Sequence, residues 1–120
     1  MSDKSAADLI AEAKQRITEV TPQDVRDMQA RGDDFVLLDV REPNEWNLGH
    51  LPNAIHIPRG IMESAIETRV PREQRVVIYC ASGNRSALAA DTMQQMGYSN
   101  VASLAGGFRG WAEAGGDIEG

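Results

Sequence analysis

The most informative stretch of the sequence reads VVIYCASGNRS, residues 76–86. Four β-branched or aromatic residues open it, and small polar residues around Gly83 follow Cys80. An apolar run that does not alternate with polar residues is typical of a parallel strand covered on both faces. The stretch therefore predicts a buried strand that ends at Cys80, a polar loop, and a helix that begins at about Ser86.

Short strands and helices alternate along the rest of the chain. A second continuous apolar run spans residues 35–40, and weaker strand patterns span residues 54–57 and 101–104. Strands that alternate with helices favour an α/β fold, with three α/β/α layers built on a central parallel sheet. The predicted helices span residues 5–17, 21–32, 61–70, 86–96 and 108–114.

The first 20 residues precede the predicted strands. We interpret residues 1–20 as an N-terminal helical extension and residues 21–120 as the main domain. Ser5 or Ser2 is the expected N-cap of the first helix, and Thr21 is the expected N-cap of the next one. The sequence leaves open whether the extension packs on the domain or joins two copies of the chain as a homodimer.

Composition and charge exclude several classes of function. The length of 120 residues and the apolar content of 42% suit one packed domain. Twelve basic residues against 18 acidic ones leave a net charge of −6, which disfavours binding to nucleic acid because phosphate backbones are negative. The longest apolar run, residues 76–81, is far shorter than the roughly 18 residues that span a membrane, so we expect no membrane association. Acidic residues at positions 3, 8 and 12 replace the apolar centre of a secretion signal, so we expect a cytoplasmic protein.

Cys80 lies where a parallel sheet binds its ligands, just beyond the carboxyl end of a strand. Gly83 allows the following loop to curl so that its N–H groups face inward, and the next helix adds its positive dipole end. Arg85 adds a full positive charge, and Ser86 either caps the helix or donates its hydroxyl. Such surroundings lower a cysteine pKa from ~8.5 to roughly 3.5–7.5. We therefore predict that Cys80 is an ionised nucleophile, the alternative being a buried core residue.

The spacing of the loop indicates which chemistry the cysteine performs. Four residues separate Cys80 from Arg85, whereas phosphate-cleaving cysteine enzymes place five between the two. The tighter loop suits a terminal sulfur carried on the cysteine better than a tetrahedral phosphate. A thiolate needs no general base, so we interpret His50 and His56 as structural. A sulfur atom closed off from solvent, with the loop amides turned away, would contradict this hypothesis.

Four motifs of this chain, in the same order along the sequence, resemble those of the rhodanese family in its single-domain form. Together they cover about residues 21–114. The motifs are LDVRE at 38–42 with Glu45-Trp46, GHLPNAIHIP at 49–58, CASGNRS at 80–86, and LAGG at 104–107 followed by Trp111.

The resemblance implies an α/β/α domain with sulfurtransferase activity. Cys80 would take a sulfane sulfur from a small donor anion such as thiosulfate and hold it as a persulfide. The acceptor would be cyanide, a thiol such as glutathione, or a protein such as thioredoxin. The resemblance implies no metal and no organic cofactor, and the single cysteine excludes an internal disulfide and a multi-cysteine metal site. Two alternatives stay open: a phosphatase or arsenate-reductase-like enzyme on the same scaffold, and a non-catalytic interaction module.

The loop that follows Cys80 is the predicted substrate-binding element. Arg85 either contacts the donor anion or braces the loop through its backbone carbonyl groups, and we favour a mixture of the two roles. The loop offers no second cation, so we expect a modest affinity for thiosulfate. The other predicted substrate-binding residues are Ala81, Ser82, Gly83, Asn84 and Ser86.

Three further residues, Asp39, Arg41 and Arg59, are predicted at the rim of the pocket. Asp39 ends the first strand, where it serves either as a turn cap or in catalysis. Arg41 is expected to form an ion pair with Glu42 or Glu45. Arg59 either lines the mouth of the pocket or extends into solvent.

Overall fold

A computed structural model describes residues 3–120 of the chain. Over that range the chain forms six α-helices, one 3₁₀ helix and five β-strands, and none of the helices is long and apolar enough to cross a membrane. In chain order the elements are α1 (Ala6–Arg16), β1 (Thr18–Val20), α2 (Pro22–Arg31), β2 (Val36–Asp39), α3 (Pro43–Asn47), β3 (Ile55–His56), the 3₁₀ helix (Arg59–Ile61), α4 (Met62–Arg69), β4 (Val76–Tyr79), α5 (Asn84–Gln95), β5 (Val101–Leu104) and α6 (Gly107–Glu113).

The strands form one parallel sheet in the order β1-β5-β4-β2-β3. In the central strand β4, Ile78 lies between Leu38 of β2 and Ser103 of β5. Because the strands run in the same direction, their carboxyl ends lie along one edge of the sheet, and Cys80 follows β4 at that edge. This arrangement confirms the predicted α/β class with a central parallel sheet.

Helices cover both faces of the sheet and bury every residue of β4. Ile78 and Cys80 pack on one face with side chains of α4 and α5, while Val77 and Tyr79 pack on the other with side chains of α2 and α6. Successive residues of a strand point to opposite faces, so a strand covered on both sides needs apolar residues at every position. This requirement explains the unbroken apolar run and directs the side chain of Cys80 towards α5.

The N-terminal segment contributes a helix and an edge strand. Ser5 caps α1 by accepting a hydrogen bond from the Asp8 amide, whereas the alternative cap, Ser2, lies outside the described residues. α1 packs along α5, where Arg16 donates to both carboxylate oxygens of Asp91 at 2.9 and 2.7 Å. β1 pairs with β5 and is a strand that the sequence analysis did not predict. The division of the chain at residue 20 stays a prediction.

The predicted boundaries agree with the structure to within two residues. Thr21 caps α2, and Gly32 ends it with a φ of +71°, a left-handed conformation that glycine adopts without strain. α5 begins at Asn84, two residues before the predicted start. The five-residue helix α3 and the 3₁₀ helix are additional to the predicted elements, and both are too short for a helical period to show.

Candidate active site

The sulfur of Cys80 lies at the N-terminus of α5 and accepts hydrogen bonds from the loop. The backbone N–H of Gly83 is 3.1 Å from Sγ and that of Ser86 is 3.3 Å away. The hydroxyl oxygen of Ser86 lies 3.5 Å from the same sulfur. The predicted inward-facing amides are therefore present, and they converge on Sγ.

The cysteine sulfur takes the place of a helix cap. Gly83 occupies the N-cap position of α5 with a φ of +101° and, having no side chain, cannot accept the free amides of the first turn. A capping side chain normally accepts the N–H of the third helical residue, which is Ser86 in α5. Sγ of Cys80 accepts that N–H instead. Of the two roles predicted for Ser86, capping of the helix is therefore wrong, because Ser86 is the third residue of α5 and Gly83 is its N-cap.

Hydrogen bonding outweighs burial in setting the ionisation of Cys80. Burial raises the pKa of the thiol, since the residue is only 1% exposed. The hydroxyl and amide of Ser86 and the amides of Ser82 and Gly83 lower the pKa by more, so it lies below its ordinary value. The sulfur is thus enclosed, but the amides face it, so the thiolate form is stabilised.

A second buried hydroxyl extends this arrangement beneath the loop. Ser103 of β5 lies in register with Ile78, two residues before Cys80, and on the same face of the sheet. Its Oγ is 2.8 Å from Oγ of Ser86, and both residues are fully buried. Ser103 is not among the site residues predicted from the sequence. Its signal is a lone polar residue within an otherwise apolar parallel strand.

Arg85, in the first turn of α5, pairs with a residue of α3. Its two Nη atoms donate to the two carboxylate oxygens of Glu45 at 3.1 and 3.2 Å. The hydrogen bond from Arg85 is the main cause that lowers the pKa of Glu45, and the same bond raises the pKa of Arg85. Arg85 therefore braces the loop against α3, and Glu45 neutralises much of its charge.

Arg41 pairs with Asp39, and not with Glu42 or Glu45 as the sequence suggested. Asp39 accepts from the Arg41 backbone N–H at 2.8 Å and from its guanidinium at 2.8 and 3.1 Å. The two side chains are 0% and 5% exposed. The carboxylate of Asp39, two residues before Arg41, reaches both the backbone N–H and the guanidinium of Arg41. A carboxylate on the exposed helix α3 does not reach both groups. Asp39 is therefore a turn cap and counter-ion, and the place of Asp39 and Arg41 at the pocket rim stays a prediction.

Gly107 permits α6 to press against the active-site loop. Its φ is +57°, and an added Cβ would lie 2.8 Å from the carbonyl carbon of Ala81 and closer still to the carbonyl oxygen of Cys80. The next two amides, of Phe108 and Arg109, donate to the carbonyl oxygens of Cys80 and Ala81 at 2.7 and 3.1 Å. The loop is therefore fixed from behind by backbone hydrogen bonds that need a glycine at position 107.

Residues 21–114 match the family described as Rhodanese-like domain. The chain belongs to the rhodanese-like domain family. This rhodanese-like domain is 33% identical over 99 residues to a protein named "Sulfurtransferase" from Allochromatium vinosum, a match that covers 82% of the chain and 92% of that protein.

Longer relatives contain the domain as one part. The chain is 35% identical over 108 residues to the "Probable adenylyltransferase/sulfurtransferase MoeZ" of Mycobacterium tuberculosis. That match covers 89% of the chain but only 27% of MoeZ, so this rhodanese-like domain spans about a quarter of that relative.

Two solved structures are similar to this fold. A Rhodopseudomonas palustris protein of unknown function, described as a "Possible Tyrosine Phosphatase", superposes with a TM-score of 0.89 at 36% identity, covering 99% of this chain and 97% of that one. A rhodanese-related protein from Thermoplasma volcanium superposes with a TM-score of 0.76 at 28% identity, covering 85% of this chain and 97% of that one.

The remaining loop residues of this rhodanese-like domain differ in their exposure. Ser82 and Asn84 are exposed, Ala81 is half-buried, and Gly83 is buried. Substrate binding by these residues stays a prediction.

Arg59 and the two histidines are engaged in contacts of their own. Arg59 donates to Glu63 at 2.8 Å and to the Thr92 hydroxyl at 3.4 Å, and its place on the pocket rim stays a prediction. Nδ1 of His50 lies 3.1 Å from the carbonyl oxygen of Trp46, and Nε2 of His56 lies 2.8 Å from that of Arg41. These contacts agree with the structural role predicted for both rings.

Proposed function

We propose that this rhodanese-like domain is a sulfurtransferase that carries sulfane sulfur as a persulfide on Cys80. The observation that carries the proposal is the convergence of the Gly83 and Ser86 amides on Sγ, at 3.1 and 3.3 Å. Relatives at 33 and 35% identity are named as sulfurtransferases, which supports sulfur transfer for the family. We extend that activity to this chain by naming Sγ of Cys80 as the reacting atom and a persulfide on Cys80 as the intermediate.

The first step loads the cysteine. The Cys80 thiolate attacks the outer sulfur of thiosulfate, a new S–S bond forms, and the S–S bond of thiosulfate breaks. Sulfite leaves with the electron pair of the broken bond, and Cys80 is left as a persulfide anion. No proton moves and no external oxidant or reductant is needed. The amides that stabilise the thiolate also favour the negative charge of the persulfide, because they point at the same small volume.

The second step unloads the cysteine. A thiophilic nucleophile, either cyanide or a thiolate, attacks the terminal sulfur and leaves the Cys80 thiolate free to react again. The two half-reactions share one enzyme site, which gives ping-pong kinetics. Because this sequence has a single cysteine, no second thiol of the chain can accept the sulfur. We propose a small thiol such as glutathione or a protein such as thioredoxin as acceptor, in the reducing cytoplasm that keeps Cys80 reduced.

The charge around the loop favours weak binding of a doubly negative donor. Arg85 is the cation of the loop, and its guanidinium is held by Glu45. A bidentate carboxylate neutralises much of the attraction that Arg85 would otherwise exert on thiosulfate. A modest affinity for thiosulfate follows, and a donor with less charge is better matched to this site.

A phosphatase is the second candidate, favoured by the "Possible Tyrosine Phosphatase" description of the Rhodopseudomonas palustris protein at 36% identity. Against it stands the loop, with four residues between Cys80 and Arg85. Arg85 is moreover bound to Glu45, whereas a phosphatase needs such an arginine on the phosphate oxygens. Sulfur transfer is therefore the stronger proposal.

The deciding experiment is the intact mass of the protein after incubation with thiosulfate. We expect a gain of one sulfur atom, its loss on addition of cyanide, and neither change in Cys80→Ser. An unchanged mass with thiosulfate and also with a glutathione persulfide donor would refute the proposal. Turnover of an aryl phosphate that disappears in Cys80→Ser would establish the phosphatase instead.

A further inference from the structure

Ser103 has no role in the motifs of this chain, yet its hydroxyl is placed next to the reacting group. It is the only polar residue of β5, and its exposed fraction is 0%. Its hydroxyl lies 2.8 Å from the Ser86 hydroxyl, which in turn lies 3.5 Å from Sγ of Cys80. The three side chains form a buried row from strand β5 through helix α5 to the sulfur.

We propose that Ser103 is a positioning residue that holds the Ser86 hydroxyl against the sulfur of Cys80. This role deepens the proposed function and rests on it, because the Cys80 sulfur is the atom proposed to carry the transferred sulfur. Ser103 itself touches neither the donor nor the acceptor. It acts through Ser86.

The Ser86 hydroxyl needs such a support because it has a competing partner. A serine in a helix can turn its hydroxyl back to a backbone carbonyl oxygen three or four residues earlier. For Ser86, in the first turn of α5, the carbonyl that faces into the helix is that of the N-cap Gly83, three residues earlier. The hydrogen bond with Ser103 favours the rotamer that faces the sheet, which keeps the hydroxyl beside the sulfur.

The hydroxyl pair suits both protonation states of the sulfur. When Cys80 is a thiolate, Ser103 donates to Ser86 and the Ser86 proton points at the sulfur. When Cys80 is a thiol, its S–H points at Ser86 and the Ser86 proton turns to Ser103. A chain of hydroxyls of this kind polarises its members, so each bond strengthens the next in the interior of a protein. Loss of Ser103 therefore weakens the bond to the thiolate.

The test is the rate of alkylation of Cys80 by iodoacetamide across a range of pH. Iodoacetamide labels a single thiol in this protein, because the sequence has one cysteine. We expect Ser103→Ala to raise the apparent pKa of Cys80 and to lower the alkylation rate below that pKa about tenfold. This is the lower end of the effect of losing a hydrogen bond to a charged group, because the substitution weakens the bond from Ser86 to the sulfur and does not remove it. Ser103→Thr keeps the hydroxyl and should stay within about twofold of the wild type. Ser99→Ala, the same change at an exposed site, is the control and should have no effect.

A double variant separates positioning from a general effect on the fold. If Ser103 acts through Ser86, then adding Ser103→Ala to Ser86→Ala changes the alkylation rate no further. Should Ser103→Ala fail to fold, Ser103→Val replaces it, since Val and Thr have the same shape and differ in the hydroxyl.

A wild-type rate in Ser103→Ala or Ser103→Val would overturn the proposal, as would a fall that persists in the Ser86→Ala background. Alkylation needs no sulfur donor, so the result stands independently of whether the protein transfers sulfur.

Discussion

Replacement of Asp39 by asparagine tests whether the buried ion pair behind the loop stabilises the fold. Asp39 accepts three hydrogen bonds from Arg41 at 2.8 to 3.1 Å, and a fourth from its backbone N–H at 2.8 Å. The side chains are 0% and 5% exposed, so Asp39→Asn leaves a guanidinium charge buried without a counter-ion. Removing one partner of a buried pair costs roughly 3–5 kcal/mol of unfolding free energy.

The lower end of that range applies here, because part of the network survives. The amide oxygen of asparagine can still accept the Arg41 backbone N–H and preserve the turn. The guanidinium retains its bond to the Gly49 carbonyl at 2.7 Å and its place over the Phe108 ring at 4.3 Å. We therefore expect a loss of about 3 kcal/mol from a total of about 5–15 kcal/mol.

Urea unfolding followed by circular dichroism measures this loss. With a slope of about 1–3 kcal/mol per molar urea, the midpoint should fall by roughly 1–3 M. Asp33→Asn is the matched control, since its partner Arg31 is 59% exposed and an exposed pair contributes at most about 1 kcal/mol. If Asp39→Asn unfolded within about 1 kcal/mol of the wild type, the buried charge would be far better solvated than these contacts imply.

Two further changes probe the loop from either side. Gly107→Ala places a methyl group against the backbone of Cys80 and Ala81, so we expect slower alkylation of Cys80 and a loss of stability. Gly32→Ala is the control, because Gly32 has the same left-handed backbone but open space around it, and its loss should be only roughly 1–2 kcal/mol. Equal losses of the two variants in urea unfolding would disprove the steric argument. The pKa of Glu45 is lowered by Arg85, so its stabilisation is complete above the unfolded pKa of about 4.3 and is lost as the pH falls through the lower, folded value. The stability advantage of the wild type over Glu45→Gln should therefore shrink below about pH 4, and an advantage that stayed constant down to pH 2 would contradict the pairing.

The sequence contains enough information to predict the sheet and the position of Cys80. The reason is physical: a strand covered on both faces needs an apolar residue at every position, so Val76–Tyr79 stands out without any partner being known. β1 could not be recognised in this way, because its three residues lie at an edge and only Val20 is partly buried. Helix α3 could not be recognised either, because it is only five residues long, although Pro43 after Glu42 is a helix-start signal.

Ion pairing was the weakest part of the sequence-based interpretation. Arg41, Glu42 and Glu45 are close along the chain, and proximity alone suggested that they pair. The structure instead joins Arg41 to Asp39 and Glu45 to Arg85, 40 residues away. Such choices depend on which side chains the fold buries together, since a buried guanidinium requires a counter-ion and an exposed carboxylate does not. Local sequence does not contain that information.

The hydrogen bonds to the buried sulfur explain how Cys80 can belong to the core and still be reactive. Burial alone would keep Cys80 protonated, and an apolar strand end favours burial. The opposing effect comes from α5, whose glycine N-cap leaves first-turn amides without a side-chain acceptor. An unsatisfied buried amide is costly, so the hydrogen bonds to the sulfur stabilise the helix as well as the thiolate. Ionisation of Cys80 strengthens those same bonds, and the thiolate is therefore stabilised by the requirement to cap α5.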